Sequence, residues 1–320
     1  MMFELYCTVP GMDKRQPPSG PAGFERPGSE QAKSEQHSLG RPSATALMAA
    51  AARAAHLIVD DEPRIFADPL AGRLLGDQAE ELIGYHTLHG THPVLAGARA
   101  QVACRSRYTE ETLVRAVAAG VAQYVILGAG LDSFAYRGGL AGRVRVFEVD
   151  HPASQQVKRA ALAAARIPVT DGVTFVPADL AVDPLGGCLA DAGFDASAPA
   201  VFGWLGVTMY LTGDAIAETM SAIAALAPGS ELIADYMLTE DARDEAGALY
   251  GTLVAQASAE RGEPWLSCFT PPRIEDLARR AGLGAVRSVR QRNAIPAELW
   301  RRTDSLRPAE LAVLFHGQVT

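Results

Sequence analysis

Long apolar runs, lysine and closely spaced cysteines are all scarce in this chain, and each scarcity excludes a class of protein. No run approaches the ~18 apolar residues of a membrane-spanning helix, and the N-terminus lacks both parts of a secretion signal. Lysine occurs only at positions 14, 33 and 158 and the net charge is −8, so the chain has no electrostatic footprint for nucleic acid or an anionic membrane. The four cysteines, at 7, 104, 188 and 268, form no CxxC pair, which indicates reduced thiols in a cytoplasmic protein rather than disulfides or a zinc site.

The chain length and composition favour one large α/β domain over two. Its 320 residues are 48% hydrophobic, which is enough to bury a full core. Residues 1–41 are rich in Pro, Gly, Ser, Gln and charge, and we expect them to be disordered. We expect residues 42–320 to form a single domain, in which a helical cap over 42–120 precedes a core over 121–320. A lid is expected to be inserted near 237–270.

Apolar periodicity divides the chain into alternating strands and helices. The predicted strands are short apolar runs at 124–127, 144–150, 173–176, 200–205 and 231–236, with a closing antiparallel pair near 286–289 and 311–315. The predicted helices are amphipathic or alanine-rich segments at 45–59, from 68 onward, and at 109–118, 152–165, 214–226, 240–260 and 272–281. This alternation is typical of a parallel sheet with crossover helices.

The segment 124–137, YVILGAGLDSFAYR, is the most informative part of the chain. An apolar run ends abruptly in Gly128-Ala129-Gly130, as when a buried parallel strand delivers the chain to a ligand at its carboxyl end. Gly128 and Gly130 would let the backbone approach a ligand where any Cβ would collide. A dinucleotide fingerprint, G-x-G-x-x-G, needs a third glycine, and that place holds Phe134.

An acid follows each of the first three predicted strands. With Asp132, the loop has the G-x-G-x-D pattern of the S-adenosylmethionine loop in class I methyltransferases. Asp150 lies 22 residues after Gly128, close to the ~20-residue spacing at which an acid meets ribose hydroxyls. Asp179 could accept from an adenine amino group while Leu180 covers the ring. Alternatively, the three acids are a helix N-cap, the cap of the following helix and a turn residue, respectively.

Four segments together resemble the leucine carboxyl methyltransferase family: ACRSRYTEETL (103–113), VILGAGLDSFAYR (125–137), FEVDHPASQQVKRAAL (147–162) and GWLGVTMYLT (203–212). They are most similar to its bacterial branch of small-molecule O-methyltransferases, which includes polyketide carboxyl methyltransferases. The resemblance implies a class I methyltransferase fold, that is, a Rossmann-like, doubly wound, seven-stranded and mostly parallel sheet with an N-terminal helical cap and inserted lid helices. It also implies S-adenosylmethionine as the methyl donor and S-adenosylhomocysteine as its product.

The resemblance assigns a role to the Arg105-Ser-Arg107 motif. It implies that Arg105 binds the methionine carboxylate of S-adenosylmethionine, which a planar guanidinium can hold with two hydrogen bonds. Alternatively, Arg105 and Arg107 form a solvated face with Glu110 and Glu111.

The motif of the fourth strand departs from the commonest pattern of the family. Many relatives place a glutamate, facing the sulfonium end of the cofactor, where this chain has Leu205. Other relatives share the leucine, so we interpret it as variation between branches rather than loss of activity. Tyr210 is a candidate residue of the acceptor site, and the alternative is a core tyrosine whose hydroxyl bonds the backbone.

His86, His89 and His92 form an H-x-x-H-x-x-H pattern, which we predict to lie in a loop because of the nearby Gly84 and Gly90. No thiolate or carboxylate lies close enough in sequence to complete a zinc site, so no metal is expected. His86 or His89 could line the acceptor pocket as a base for a hydroxyl substrate. Solvated histidines in a loop are the alternative.

Three functions are compatible with the sequence. The first is an O-methyltransferase for a carboxylate or hydroxyl of a small molecule, in secondary metabolism. The others are a methyltransferase of protein C-terminal carboxylates and a non-catalytic cofactor-binding scaffold, while an NAD enzyme ranks below them because the third glycine is missing. A carboxylate acceptor is ionised at pH 7 and needs no base, whereas a phenol benefits from one. The family resemblance favours the carboxylate, and the oligomeric state is not indicated.

Overall fold

A seven-stranded sheet forms the core of the computed structural model, which describes residues 43–320; the expected disorder of residues 1–41 lies outside this range. The strands are β1 (Gln123–Leu127), β2 (Arg145–Asp150), β3 (Val173–Pro177), β4 (Ala200–Trp204), β5 (Glu231–Met237), β6 (Arg287–Arg290) and β7 (Ala312–Gln318). Their order is β3-β2-β1-β4-β5-β7-β6, with β1 to β5 parallel and β7 antiparallel to both β5 and β6. The predicted doubly wound sheet and its closing antiparallel pair are confirmed.

The central strands are buried on both faces, as their unbroken apolar sequences predict. Every residue of β1 and of β4 is buried, and Gln123 of β1 lies opposite Arg145 of β2 and Ala200 of β4. The Gln123 side chain is polar, but it exchanges two hydrogen bonds of 2.9 Å with the backbone of Asp195. Because β1 to β5 are parallel, their carboxyl ends meet at one edge of the sheet.

Helices cover both faces of the sheet and its carboxyl edge. They are α1 (Ala44–Val59), α2 (Ala71–Leu74), α3 (Ala79–His89), α4 (Pro93–Ala118), α5 (Pro152–Ala164), α6 (Leu185–Asp191), α7 (Gly213–Ala224), α8 (Glu245–Ala259), α9 (Pro271–Arg280) and α10 (Gln291–Ala294). Helices α1 to α4 precede the sheet and pack on one another in the segment that we expect to form a cap, and α8 lies in the segment that we expect to form a lid. Among the described residues, none of the helices combines the length and apolar character needed to cross a membrane.

The loop predicted around the three histidines is wrong. His86 and His89 lie in the last turns of α3, and His92 is the N-cap of α4, where its Nδ1 accepts from the backbone N–H of Val94 at 3.3 Å. Gly84 lies inside α3, where glycine costs ~1 kcal/mol but does not end a helix. Gly90 ends α3 in tight packing, since a Cβ there would lie 2.5 Å from a methyl group of Val59.

A buried ion pair joins α5 to the sheet beneath the carboxyl edge. The Lys158 ammonium lies 2.7 Å from a carboxylate oxygen of Glu148, and the two side chains are 2% and 1% exposed. The Tyr136 hydroxyl donates to the same oxygen at 3.0 Å. Removing one partner of such a pair would leave a buried charge uncompensated.

Candidate functional site

Two adjoining cavities open where the carboxyl ends of the strands meet α1 and α8. The larger cavity, of about 500 Å³, is lined by the loops after β1, β2, β3 and β4. The smaller cavity, of about 160 Å³, is lined mostly by apolar side chains of α1, α4 and α8. The two linings share a boundary formed by Thr45, Ala49, Arg105, Gly206, Tyr210 and Glu263.

The loop after β1 has the backbone conformation that its glycines permit. Gly128 and Gly130 have φ values of +66° and +44°, in the left-handed region that other residues rarely adopt. The backbone N–H groups of Gly128 and Ala129 donate to the Val149 carbonyl at 2.8 and 3.1 Å, which ties the loop to β2. A Cβ on Gly128 would lie 2.4 Å from a methyl group of Val207, so contact with the chain itself already requires glycine here.

Asp150, at the end of β2, is held by the backbone in the lining of the larger cavity. Its Oδ2 accepts from the Gly130 N–H at 2.6 Å and its Oδ1 accepts from the His151 N–H at 2.7 Å. Burial raises the pKa of this carboxyl, although the two backbone donors oppose the shift. The cap of α5 is His151 rather than Asp150, so the alternative role is wrong. Each carboxylate oxygen keeps capacity for a further hydrogen bond.

Asp132 and Asp179 also line the larger cavity, and each carboxylate also accepts from a nearby backbone N–H. Asp132 Oδ1 accepts from the Phe134 N–H at 2.7 Å, but the N-cap of the 3₁₀ turn that follows is Ser133, so the alternative of a helix N-cap is wrong for Asp132. Asp179 Oδ1 accepts from the Ala181 N–H at 2.9 Å within a turn. Leu180 lies in the same lining. These bonds fix the orientation of both carboxylates at the cavity wall.

Arg105 is oriented by a residue that the sequence did not single out. Its Nη1 donates to Asp235 Oδ2 at 2.8 Å, and Asp235 Oδ1 accepts from the Gly206 N–H at 2.6 Å. Asp235 is 2% exposed. An acid in an otherwise apolar part of β5 is the sequence signal that could have identified it as a partner for a buried cation. Arg107 pairs instead with Glu111 at 2.7 Å, so the solvated-face alternative holds for Arg107 only.

Helix α1 is fastened directly to the glycine loop. The Arg53 guanidinium donates to the Leu131 carbonyl at 2.7 Å and to Asp68 Oδ2 at 2.9 Å. The Ser133 hydroxyl donates to the other oxygen of Asp68 at 2.6 Å. Helix α1 is therefore part of the wall of the larger cavity.

The two candidate histidines, His86 and His89, lie in different surroundings. His86 is buried in the lining of the smaller cavity, 3.3 Å from an Arg99 Nη1, and burial lowers its pKa to about 3. An imidazole with this pKa is neutral and a poor base near pH 7. His89 contacts the ring of Tyr85 at 4.7 Å between centroids and lies outside both linings. Leu205 follows β4 in the lining of the larger cavity.

Tyr210 lies on a 3₁₀ turn, Thr208–Tyr210, at the boundary of the cavities. Its hydroxyl lies 3.2 Å from Thr45 Oγ1, so the alternative of a hydroxyl bonded to backbone is not what the structure shows. Thr45 Oγ1 donates to Glu263 Oε2 at 2.5 Å. Thr45 and Glu263 were not predicted as site residues. In the part of the chain described, no group of three or more His, Cys, Asp and Glu side chains is arranged to hold a metal ion.

Comparison with known proteins gives a consistent result. The model of the leucine carboxyl methyltransferase family matches residues 46–224. A Bacillus subtilis protein described as "Putative S-adenosyl-L-methionine-dependent methyltransferase YktD" is 37% identical over 190 residues, covering 56% of this chain and 59% of that protein. A similarly described Mycobacterium avium protein is 37% identical over 199 residues, covering 59% and 62%. The match thus spans about three fifths of the length of these curated relatives.

A solved structure supports the fold. The crystal structure of a Thermobifida fusca protein described as a "putative methyltransferase" superposes with a TM-score of 0.53 at 22% identity, covering 83% of this chain and 97% of that one. Together with the strand order, this likeness confirms the class I methyltransferase fold.

Proposed function

The chain belongs to the leucine carboxyl methyltransferase family, and we propose that it is an S-adenosylmethionine-dependent O-methyltransferase for a small molecule. The observation that carries the proposal is the pairing of two cavities. In the larger one, carboxylates at the ends of β2 and β3 share a lining with the guanidinium of Arg105. The smaller one is mostly apolar and meets it at that same arginine.

The residues of the larger cavity fit S-adenosylmethionine chemically. Asp150 would accept from the ribose hydroxyls, Asp179 would accept from the adenine amino group beside Leu180, and Arg105 would bind the methionine carboxylate. The Gly128-Ala129-Gly130 loop and Asp132 would complete the wall. The volume of about 500 Å³ falls within the ~300–1,000 Å³ usual for small-molecule sites. Bound there, the cofactor supplies an electrophilic methyl group on a sulfonium.

The protein's own contribution is binding, orientation and exclusion of water. Asp235 holds Arg105 in place before any ligand arrives, which reduces the cost of ordering that side chain on binding. Apolar side chains of α1, α4 and α8, including Met48, Val102 and Leu253, would remove water from an acceptor in the smaller cavity.

A small acceptor fits this site better than a protein C-terminus. The smaller cavity has a volume of only about 160 Å³, and the chain carries a net charge of −8, which would repel an acidic protein tail. The proposal includes a cytoplasmic location and a role in secondary metabolism. A non-catalytic scaffold is the alternative, whereas an NAD enzyme is disfavoured because Phe134 is buried where the third glycine would lie, 4.9 Å from the ring of Tyr124.

Calorimetry with S-adenosylhomocysteine and with NAD tests the proposal. We expect S-adenosylhomocysteine to bind and to raise the melting temperature, and NAD to do neither. Methyl transfer from radiolabelled S-adenosylmethionine to a set of small carboxylates and alcohols then distinguishes an enzyme from a scaffold. Binding of NAD in preference to S-adenosylhomocysteine would contradict the proposal.

A further inference from the structure

Three side chains from distant parts of the chain meet at the boundary of the two cavities. Thr45 comes from α1 of the cap, Tyr210 from the turn after β4, and Glu263 from the loop after the lid helix α8. All three lie in both linings, where a methyl group would have to pass from one cavity to the other. We call them the boundary triad.

The position of Glu263 follows from the way α8 ends. Gly262 has a φ of +82°, and the N–H groups of Gly262 and Glu263 donate to the carbonyls of Ala259 and Ser258 at 3.0 and 2.9 Å. This pair of bonds is the pattern of a Schellman motif, which reverses the chain direction after a helix. The reversal turns Glu263 back toward α1, where its carboxylate meets Thr45.

The hydrogen bonds of the boundary triad have a definite direction. A threonine hydroxyl carries one proton, and that of Thr45 points to the Glu263 carboxylate at 2.5 Å. Thr45 Oγ1 can therefore only accept from Tyr210, whose hydroxyl lies 3.2 Å away. The Tyr210 proton is thus engaged, and its oxygen offers lone pairs to a bound molecule. The triad can accept a proton from an acceptor molecule, but it cannot donate one to a carboxylate.

The charged side chains around the smaller cavity also bear on whether the acceptor is a hydroxyl or a carboxylate. Besides Glu263, two arginines occur in its lining. Arg105 is paired with Asp235, whereas Arg261, which follows α8, donates to the uncharged Ala257 carbonyl of that helix. A carboxylate acceptor placed beside Glu263 would meet a like charge, which disfavours its binding.

We infer that the boundary triad accepts the proton of a hydroxyl, so that the methyl acceptor is a phenol, enol or alcohol on an apolar framework rather than a carboxylate. This inference rests on the proposed function and reverses the preference that the family resemblance suggests. Tyr210 is the catalytic residue that touches the acceptor, and Thr45 and Glu263 are positioning residues that act through it.

Methyl transfer to the acceptor oxygen is accompanied by proton transfer along the boundary triad. The acceptor oxygen forms a bond to the methyl carbon while the bond from that carbon to sulfur breaks, and its electron pair remains on sulfur. The hydroxyl proton passes to the Tyr210 oxygen, the Tyr210 proton to Thr45, and the Thr45 proton to the Glu263 carboxylate. The products are a neutral ether, S-adenosylhomocysteine and a protonated Glu263, which returns its proton to solvent.

Matched pairs of probes test the inference by binding. With S-adenosylhomocysteine present, calorimetry compares phenol with benzoate, 2-naphthol with 2-naphthoate, and hexanol with hexanoate. We expect the hydroxyl member to bind at least tenfold more tightly in every pair that binds. Tighter binding of the carboxylate members, lost in Arg261→Gln, would overturn the inference and leave the cofactor assignment intact. Absence of S-adenosylhomocysteine binding would instead overturn the proposed function.

Substitutions in the boundary triad give a second, independent readout. Glu263→Gln removes the negative charge and leaves an amide that can either accept from or donate to Thr45, so the direction of the hydrogen bonds is no longer fixed and the preference for hydroxyl probes should fall at least tenfold. Thr45→Val should abolish the preference and lower the rate of methyl transfer to the best hydroxyl probe ~100-fold. Thr45→Ser should restore both relative to Thr45→Val. An unchanged preference in Glu263→Gln, with S-adenosylhomocysteine affinity retained, would show that the triad is only structural.

Discussion

The two cavities differ in how the chain builds them. The larger cavity is formed by segments that directly follow parallel strands. Its carboxylates accept from backbone N–H groups that lie one or two residues away or follow the neighbouring strand, as Asp150 does from His151 and Gly130. The smaller cavity is formed by faces of α1, α4 and α8, and the polar groups at its boundary are held by side chains far away in sequence, as Glu263 is by Thr45.

This difference shows which cavity depends on the fold and which depends on individual side chains. The lining of the larger cavity consists of loops at strand ends, so it depends on the fold and on short local motifs. A pocket on helix faces depends on side-chain size and on how the cap and lid pack. We therefore expect substitutions in one cavity to leave the binding properties of the other largely unchanged. Substitutions confined to one cavity test this independence, and a substitution of Arg105, which both cavities share, should have a larger effect than either.

The largest effect is expected for Arg105→Ala, because Arg105 belongs to both cavities. The substitution removes the cation for the cofactor and leaves Asp235, which is 2% exposed, without its ion-pair partner. We expect a loss of ~3–5 kcal/mol in the free energy of unfolding and no measurable S-adenosylhomocysteine binding. The double variant Arg105→Ala/Asp235→Asn should recover stability but not binding. Recovery of both would show that Arg105 serves the fold alone.

Asp150→Ala should affect the larger cavity only. Loss of its hydrogen bonds is expected to weaken S-adenosylhomocysteine binding by ~1.5–3 kcal/mol in calorimetry. At saturating S-adenosylhomocysteine, the preference between 2-naphthol and 2-naphthoate should stay as in the wild type. Asp171→Ala, which removes an exposed aspartate near β3, is the matched control and should change neither quantity. A change in the probe preference would contradict the independence of the cavities.

Ala98→Leu should affect the smaller cavity only. Ala98 lines it from α4, and a larger side chain there would occupy part of the volume of about 160 Å³. We expect 2-naphthol to bind about tenfold more weakly, which corresponds to ~1.4 kcal/mol, with unchanged S-adenosylhomocysteine affinity. Ala118→Leu places the same side chain on an exposed position of the same helix and serves as the control. Equal losses of affinity for 2-naphthol and for S-adenosylhomocysteine would indicate general distortion of α4.

The smallest effect concerns the pH dependence of stability. His86 is buried beside Arg99, and its pKa is lowered to about 3, so the folded protein stays unprotonated there while the unfolded chain takes up a proton below pH ~6.5. Stability is therefore lost as the pH falls. Between pH 6.5 and 5.5 the wild type should lose ~1 kcal/mol more than His86→Gln in denaturant titrations. His151→Gln, at an exposed position, should keep the wild-type slope.

The parts of the site that the sequence predicted are those encoded within one strand and its loop. Gly128, Asp150 and Asp179 line one cavity, and their proximity could be predicted because an apolar run ending in glycine or acid marks the carboxyl end of a parallel strand. The pattern did not distinguish a loop from a helix around His86, because Gly84 is tolerated within α3 and Gly90 ends it by packing on Val59.

The parts that could not be predicted depend on contacts between distant segments. Arg105 and Asp235 are 130 positions apart, and Thr45 and Glu263 are 218 apart. No local periodicity encodes such pairs, since each residue also suits a solvated position in its own segment. Asp235 gave a weak signal as an acid within an apolar strand, whereas Thr45 and Glu263 gave none. The contacts that join distant segments at the boundary of the two cavities, where we propose that the acceptor binds, were therefore beyond local sequence patterns.

The buried Glu148–Lys158 pair allows local opening of the structure to be measured by chemical labelling. Lys158 is the single lysine of residues 43–320, and its side chain is 2% exposed, so an amine-reactive reagent can acylate it only when α5 lifts from β2. The acylation rate at Lys158, followed by mass spectrometry, thus measures how often α5 separates from the sheet edge that carries Asp150. A ligand seated against that edge should slow the reaction, whether or not any methyl acceptor is known.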